Sequence, residues 1–311
     1  MTFIIEKIEN NNGCFTVIKN SKTGEYLKIS NDWGGTVVSS ALNLCGKLYE
    51  VISPDQDEDF IKNPLFRGRM LFPFNDRIPD AQYTFGGKTL KLPSNIDDGS
   101  AIHGLIYKMK LEEVERIISD NSASVTLFAS LLEDGNSGYP FNVELKITYT
   151  LLAGSFKIDF NIYNGGQSDA PYALGWHPYF TTDNSAAIYG EFSSYVDVDD
   201  ELLPTGENID VKDSPYDFSK GWQVKDRDLD LGFVVTDGIT TLKTADYNLI
   251  IDQDNEFFPY TQMYIPDDKK SVAIEPITAA TNSFNIPSLG LRIIPPGDSE
   301  SGSVRIIISQ L

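Results

Sequence analysis

The chain has 311 residues, 41% of them hydrophobic, enough for a sizeable core without disulfide or metal staples, so composition excludes a disordered chain. With 45 Asp and Glu against 25 Lys and Arg, its formal charge of −20 repels phosphate backbones and anionic lipid, which argues against nucleic acid and membrane surfaces as partners. Two cysteines at no motif spacing (Cys14, Cys45) make no disulfide framework or zinc site, no apolar run approaches the ~20 residues that span a bilayer, and MTFIIEKIENNNGC lacks the pattern of a signal peptide. The expected location is cytoplasmic.

Along the chain, period-two alternation dominates. Thr36–Leu44 is the first clear candidate strand. Lys110–Ile118 places Val114, Ile117 and Ile118 where either a helix or a strand is satisfied. Ser124–Leu131 is the next strand. Phe141, Val143, Leu145, Ile147, Tyr149 and Leu151 then alternate with Asn142, Glu144, Lys146, Thr148 and Thr150, the pattern of a strand with one wet face. Ala153-Gly154-Ser155 breaks the alternation, and Phe156, Ile158, Phe160 and Ile162 resume it, which predicts an antiparallel hairpin. Tyr195–Leu231 is the least regular stretch, rich in Asp, and is predicted to form long loops at one end of a sandwich. Tyr247–Asp252, Thr261–Ile265, Ser271–Glu275 and Ser303–Ser309 complete the strands. With 24 Gly and 16 Pro as punctuation and no repeat or linker, the chain reads as all-β: a large antiparallel β-sandwich forming a single domain over residues 1–311.

Few residues are equipped for chemistry. There are two histidines. His103 precedes Gly104, which permits close approach of a ligand or another backbone. His177 lies in Gly175-Trp176-His177-Pro178-Tyr179-Phe180, where the following proline favours extended backbone and the flanking aromatics, Trp176 included, suit the C–H face of a sugar. Glu275 ends the alternating run Ser271-Val272-Ala273-Ile274-Glu275, sharing a face with Ala273, and Pro276 is expected to end the strand or mark an edge. Arg77, beside Asn75 in Phe74-Asn75-Asp76-Arg77-Ile78, offers a fork for hydroxyls or a carboxylate. Asp230 shares a loop with Asp226 and Asp228, any of which is suited to vicinal hydroxyls. Each also has a purely structural reading: a satisfied core histidine, a sheet-face glutamate, a solvated loop charge. No HExxH, CxxC, GxSxG or Gly-rich phosphate loop is present, and Asp134-Gly135-Asn136-Ser137-Gly138 lacks the remaining ligands of a calcium loop, so no metal is expected.

Taken in order, NDRI with Tyr83-Thr84-Phe85-Gly86-Gly87, IHG, GWHPYF, IEP with Asn282-Ser283-Phe284-Asn285, and Pro296-Gly297-Asp298 resemble the aldose 1-epimerase family, the galactose mutarotase-like proteins. The resemblance runs from about Gly68 to the carboxyl end. GWHPYF is its most specific element, followed by IEP…NSFN. It implies a large antiparallel β-sandwich that interconverts the α and β anomers of a free hexose. Glu275 is then the base toward the anomeric hydroxyl, and His177 the acid toward the ring oxygen. His103, Arg77, Asn75, Asp230 and Trp176 bind substrate, with Asp230 the loosest match. No cofactor is implied. The partner is a small-molecule sugar, and the protein is a monomer or homodimer. The sequence departs from the family pattern at NSFN, for NAFN, and at Asp76, which interrupts NRI. A family branch acting on hexose 6-phosphates is the alternative substrate class, with Arg67 and Arg69 as its phosphate-binding pair. Further alternatives are a non-catalytic sugar-binding protein on the same fold and a glycosidase using Glu275 with Asp230.

Overall fold

The computed structural model describes residues 2–52, 57–132, 138–212, 214–225 and 227–311. Five strands open the chain and form one sheet in sequence order: β1 (Phe3–Asn10), β2 (Gly13–Asn20), β3 (Tyr26–Ser30), β4 (Thr36–Leu44) and β5 (Lys47–Ile52). The short helix α1 (Asp57–Lys62) leads to β6 (Met70–Leu71) and the hairpin β7 (Gln82–Phe85) and β8 (Lys88–Lys91). Then come β9 (Glu112–Ile118), β10 (Ser122–Leu131), β11 (Val143–Leu152), β12 (Ser155–Asn164) and β13 (Ala170–Tyr172). β14 (Gly175–Trp176), β15 (Tyr179–Thr181), β16 (Ala187–Val198), β17 (Pro204–Asp210), β18 (Trp222–Gln223) and β19 (Asp230–Lys243) follow. The last are β20 (Asn248–Gln253), β21 (Tyr260–Tyr264), β22 (Ser271–Ile277), β23 (Arg292–Ile294) and β24 (Ser299–Ser309). A sheet of 15 strands follows the path β6-β14-β22-β21-β19-β20-β24-β12-β11-β10-β9, with β15 beside β22 and β16 beside β19.

The alternation seen in the sequence becomes burial. In β11, Val143, Leu145, Ile147, Tyr149 and Leu151 are fully buried, while Glu144, Lys146 and Thr148 face outward. Burying each such aliphatic side chain contributes about 1.5–3 kcal/mol before chain entropy is counted. Leu152 pairs with Ser155 across Ala153-Gly154, and Gly154 takes the left-handed conformation (φ 71°) that this tight turn requires. Ile18, Leu27 and Ile29 of the five-stranded sheet and Leu127, Leu145 and Ile147 of the large sheet belong to one apolar cluster, so the two sheets share a core. The Tyr149 hydroxyl donates to the Gly35 carbonyl between them. Among the described residues no helix is long and apolar enough to cross a membrane.

One expectation is extended and one is corrected. Among its described residues Tyr195–Leu231 is mostly loop and turn, as expected, but the end of β16, all of β17 and β18, and the start of β19 also fall in it. β17 is exposed along almost its whole length, so neither face carries the apolar alternation by which a strand is read. Pro276 does not end its strand. It is buried inside β22, beside the place where the neighbouring strand is interrupted at His177-Pro178 between β14 and β15. A residue without an N–H is tolerated at such a gap in the ladder. Of Lys110–Ile118, whose pattern satisfies either a helix or a strand, Glu112–Ile118 form the edge strand β9, with Val114, Ile117 and Ile118 exposed.

Candidate active site

Strand register builds the site. β22 pairs with β14 through Gly175↔Ile277 and with β15 through Tyr179↔Ala273. These two pairings share one register, which sets His177 opposite Glu275. On its other side Glu275 pairs with Gln262 of β21, and Gln262 with Gly232 of β19. One rung of the large sheet therefore reads His177, Glu275, Gln262, Gly232. Two residues along, and so on the same face, a second rung reads Tyr179, Ala273, Tyr264, Asp230. All of these except Ala273 line a single cavity of about 520 Å³. Loops carrying Phe66, Asp76, Arg77, Asp98, His103 and Thr281 wall it.

Two loops distant in sequence are tied together at its edge. Asn75 Nδ2 donates to the Ala279 carbonyl (2.7 Å), the Thr281 hydroxyl donates to Asp76 Oδ2, and Asn282 N–H donates to the Arg77 carbonyl (3.1 Å). Phe284 packs edge-on against Tyr83 and Phe74. The NDRI…YTF and NSFN segments thus form one structural unit, although about 200 residues separate them.

His103 sits in the left-handed region (φ 63°), followed by Gly104 (φ 80°). A Cβ on Gly104 would lie 2.3 Å from the Phe72 carbonyl oxygen, so only glycine fits. His103 Nδ1 is 2.9 Å from the Asn75 carbonyl oxygen. A carbonyl only accepts, so Nδ1 carries the proton and Nε2 of the neutral ring is an acceptor. Burial and then the Arg77 charge hold this imidazole below its usual pKa, against the opposing pull of Asp76 and the Asn75 carbonyl.

His177 backbone is fixed on both sides: its N–H donates to the Arg69 carbonyl (3.0 Å) and its carbonyl accepts Gly68 N–H (2.8 Å). Its ring stacks on Tyr179 (5.0 Å between centroids) and meets the edge of His103 (5.1 Å). His177 Nδ1 lies 3.4 Å from Glu275 Oε1, within ion-pair distance, and makes no hydrogen bond among the described residues. Both side chains are buried. Burial, followed by repulsion from Asp76 and Asp230, pushes the Glu275 carboxyl well above its ordinary range. Burial, followed by His103 and Arg67, pushes His177 well below its own. Asp230 stands at the open mouth and accepts a hydrogen bond from Gln262 Nε2 (2.8 Å). The cavity walls strip water from its inner side, and this with Asp76 raises it to about 6, against the pull of Gln262 and Arg77.

Of the residues predicted from sequence, Glu275, His177, His103, Arg77 and Asp230 meet in this cavity. Arg77 lines it while paired to Asp98 (3.2 Å). Asp228 is exposed and paired with Lys269, and Asp226 lies outside the described residues. Trp176 is corrected: alternation turns it to the opposite face from His177, where it is fully buried against Phe156 and Phe180 and does not line the cavity. Asn75 is corrected too: it is buried and does not line the cavity, and its Nδ2 donates to the Ala279 carbonyl, which braces the wall. Arg67 and Arg69 do not form a phosphate-binding pair. The Arg69 guanidinium is buried among the carbonyls of Trp33, Phe60 and Tyr107 and the Thr36 hydroxyl. Arg67 lies over the Tyr179 ring (4.2 Å) and donates to the Ser271 hydroxyl (2.9 Å).

Gln262, Tyr264, Tyr179 and Asp76 are cavity residues that sequence reasoning missed. Gln262 and Tyr264 share a face of a strand predicted from alternation. That their face is the one Glu275 occupies follows only from the pairing of β21 with β22.

A family model described as aldose 1-epimerase matches residues 17–306 of the chain. The uncharacterized protein YihR of Escherichia coli is 25% identical over 293 residues, 88% of this chain and 90% of YihR. The aldose 1-epimerase of Haemophilus influenzae is 26% identical over 200 residues, covering 60% of this chain and 56% of that protein. The galactose mutarotase of Bos taurus is 25% identical over 218 residues, 67% of this chain and 62% of that protein. The matches to these two named enzymes thus span less than two thirds of their length. Among solved structures, a galactose mutarotase-like protein from Clostridium acetobutylicum superposes with a TM-score of 0.85 at 21% identity, covering 100% of this chain and 99% of that one. The galactose 1-epimerase of Lactobacillus acidophilus superposes with a TM-score of 0.81 at 18% identity, covering 99% and 98%. These likenesses establish the fold.

Proposed function

The chain belongs to the aldose 1-epimerase family, and on that premise we propose that it interconverts the α and β anomers of a free, uncharged hexose, with Glu275 and His177 as base and acid. The observation that carries this reading is their placement: a carboxyl and an imidazole opposite each other on one rung of the sheet, 3.4 Å apart, flooring one cavity.

The reaction needs one proton taken and one given. Glu275 takes the proton from the anomeric hydroxyl as His177 gives one to the ring oxygen. The C1–O5 bond breaks, and C1 becomes an aldehyde. Rotation about C1–C2 presents its other face, and the ring oxygen attacks again. His177 recovers its proton from that oxygen, and Glu275 returns its proton to O1. Each group has swapped role, so no net proton is consumed. His103, with Nε2 as acceptor, takes a hydrogen bond from a sugar hydroxyl. Arg77 and the Asp230–Gln262 pair hold further hydroxyls.

The lining favours an uncharged substrate. Arg77 is the cation among the described lining residues and is already paired with Asp98, whereas Asp76, Asp97, Asp98, Asp230 and Glu275 all bear carboxyls. Saturation-transfer NMR between the two anomeric proton signals of glucose or galactose tests the reading. Transfer that grows with protein concentration is expected. Binding of the sugar without any transfer would leave a sugar-binding protein instead.

A further inference from the structure

Asp76 interrupts the segment that resembles NRI, and the reaction as described gives it no part. Both of its oxygens are engaged: Oδ1 accepts the Arg77 backbone N–H (2.7 Å) and Oδ2 the Thr281 hydroxyl. Thr281 stands on the loop that leaves β22, the strand carrying Glu275. The contact that ties the two motif loops together therefore also fixes a carboxylate in the wall of the cavity that Glu275 floors.

We propose that Asp76 is a positioning residue for Glu275, a fixed negative charge that strengthens the buried carboxylate as a base toward the anomeric hydroxyl.

Other groups face Glu275 from every element around it. His177 and Tyr179 come from the β14–β15 segment, with Arg67 over Tyr179, and Gln262 and Tyr264 come from β21. Asp230 comes from β19, His103 from the loop ahead of Gly104, and Arg77 from the same loop as Asp76. Asp97 and Asp98 close the outer wall. Arg77 offsets Asp76 only in part, because Asp98 already pairs with it. After burial, Asp76 is the foremost influence on the Glu275 carboxyl, ahead of Asp230. A like charge in a site poor in water disfavours ionisation of its neighbour, and a carboxylate so destabilised holds an abstracted proton more strongly.

The inference rests on Glu275 being the base, and its test separates the two claims. The carboxyl carbon of Glu275 is titrated by ¹³C NMR in the wild type, Asp76→Asn and Thr281→Val, with Glu275→Gln assigning the signal. The Asp76→Asn midpoint is expected to fall by roughly one pH unit. Thr281→Val, which drops the hydrogen bond but keeps the charge, is expected to leave it in place. An unmoved midpoint in Asp76→Asn, or an equal shift in Thr281→Val, would overturn the proposal. Asp76→Ser supplies the same reading if the asparagine variant fails to fold. A second measurement is the pH profile of kcat for anomer exchange, whose acid limb is expected to move to lower pH in Asp76→Asn together with the Glu275 midpoint. If wild-type protein exchanges no anomers, the base assignment fails, while the titration still reports whether Asp76 acts on Glu275.

Discussion

His177 and Glu275 face each other across neighbouring antiparallel segments, Nδ1 to Oε1 at 3.4 Å, both buried. Burial raises the carboxyl and lowers the imidazole, so an empty cavity favours the uncharged form of each. One proton on the pair is also what the reaction requires, with that proton on His177 and the carboxylate free. The two arrangements differ only in which partner holds it. The pair is best treated as a single titrating unit.

His177→Asn removes the proton donor while keeping a polar side chain of similar reach. Turnover is expected to fall roughly 10²-fold or more, with sugar affinity nearly unchanged. Exchange NMR gives the rate and calorimetric titration the affinity. Near-normal turnover would remove His177 from the chemistry.

Glu275 also leaves a mark on stability. Its folded-state pKa lies above the 4.5 of an ordinary glutamate, so the stability it contributes is fully present below that pH and is lost as pH rises through the raised value. Glu275→Gln abolishes this dependence. The melting temperature of the variant minus that of the wild type is expected to increase from about pH 4 to about pH 8. A difference that stays constant over this window would mean that the carboxyl is not held up by burial.

Alternation made much of the fold legible. Thr36–Leu44 is β4 to the residue, and the β11–β12 hairpin follows from Val143, Leu145 and Ile147 set against Phe156, Ile158 and Phe160. β17 was hidden because it packs no apolar face. The site was legible where unusual residues marked it, at two rare histidines and at a glutamate closing an alternating apolar run. It was not legible where pairing decides the neighbours. Gln262 meets Glu275 only through strand register, and Trp176 is turned from the cavity by the same alternation that turns His177 into it. Arg69 reads as a binding cation in sequence, yet its guanidinium completes buried carbonyls.

Arg77 lines the cavity with its charge shared with Asp98. Arg77→Ala is expected to raise KM by roughly tenfold and to lower kcat by much less, the pattern of lost ground-state binding. Steady-state kinetics over a range of sugar concentrations separates the two. A kcat loss with KM unchanged would place Arg77 in the transition state instead.

Hexose 6-phosphates are expected to be poorer substrates than the free sugars, with kcat/KM lower by tenfold or more on the ordinary scale of one unpaired charge in an acidic cavity. Arg67 is engaged with Tyr179 and Ser271, and Arg69 is caged. Coupled assays on glucose and glucose 6-phosphate decide it. A preference for the phosphate would show that the lining carboxyls do not set selectivity.

The most direct test is polarimetry of freshly dissolved α-glucose and α-galactose, with wild-type protein, with Glu275→Gln and with buffer alone. Approach to equilibrium rotation is expected to quicken in proportion to wild-type protein for at least one sugar, and to return nearly to the buffer rate with Glu275→Gln. Equal rates with wild type and buffer for both sugars, or undiminished acceleration by Glu275→Gln, would contradict the account of this pair.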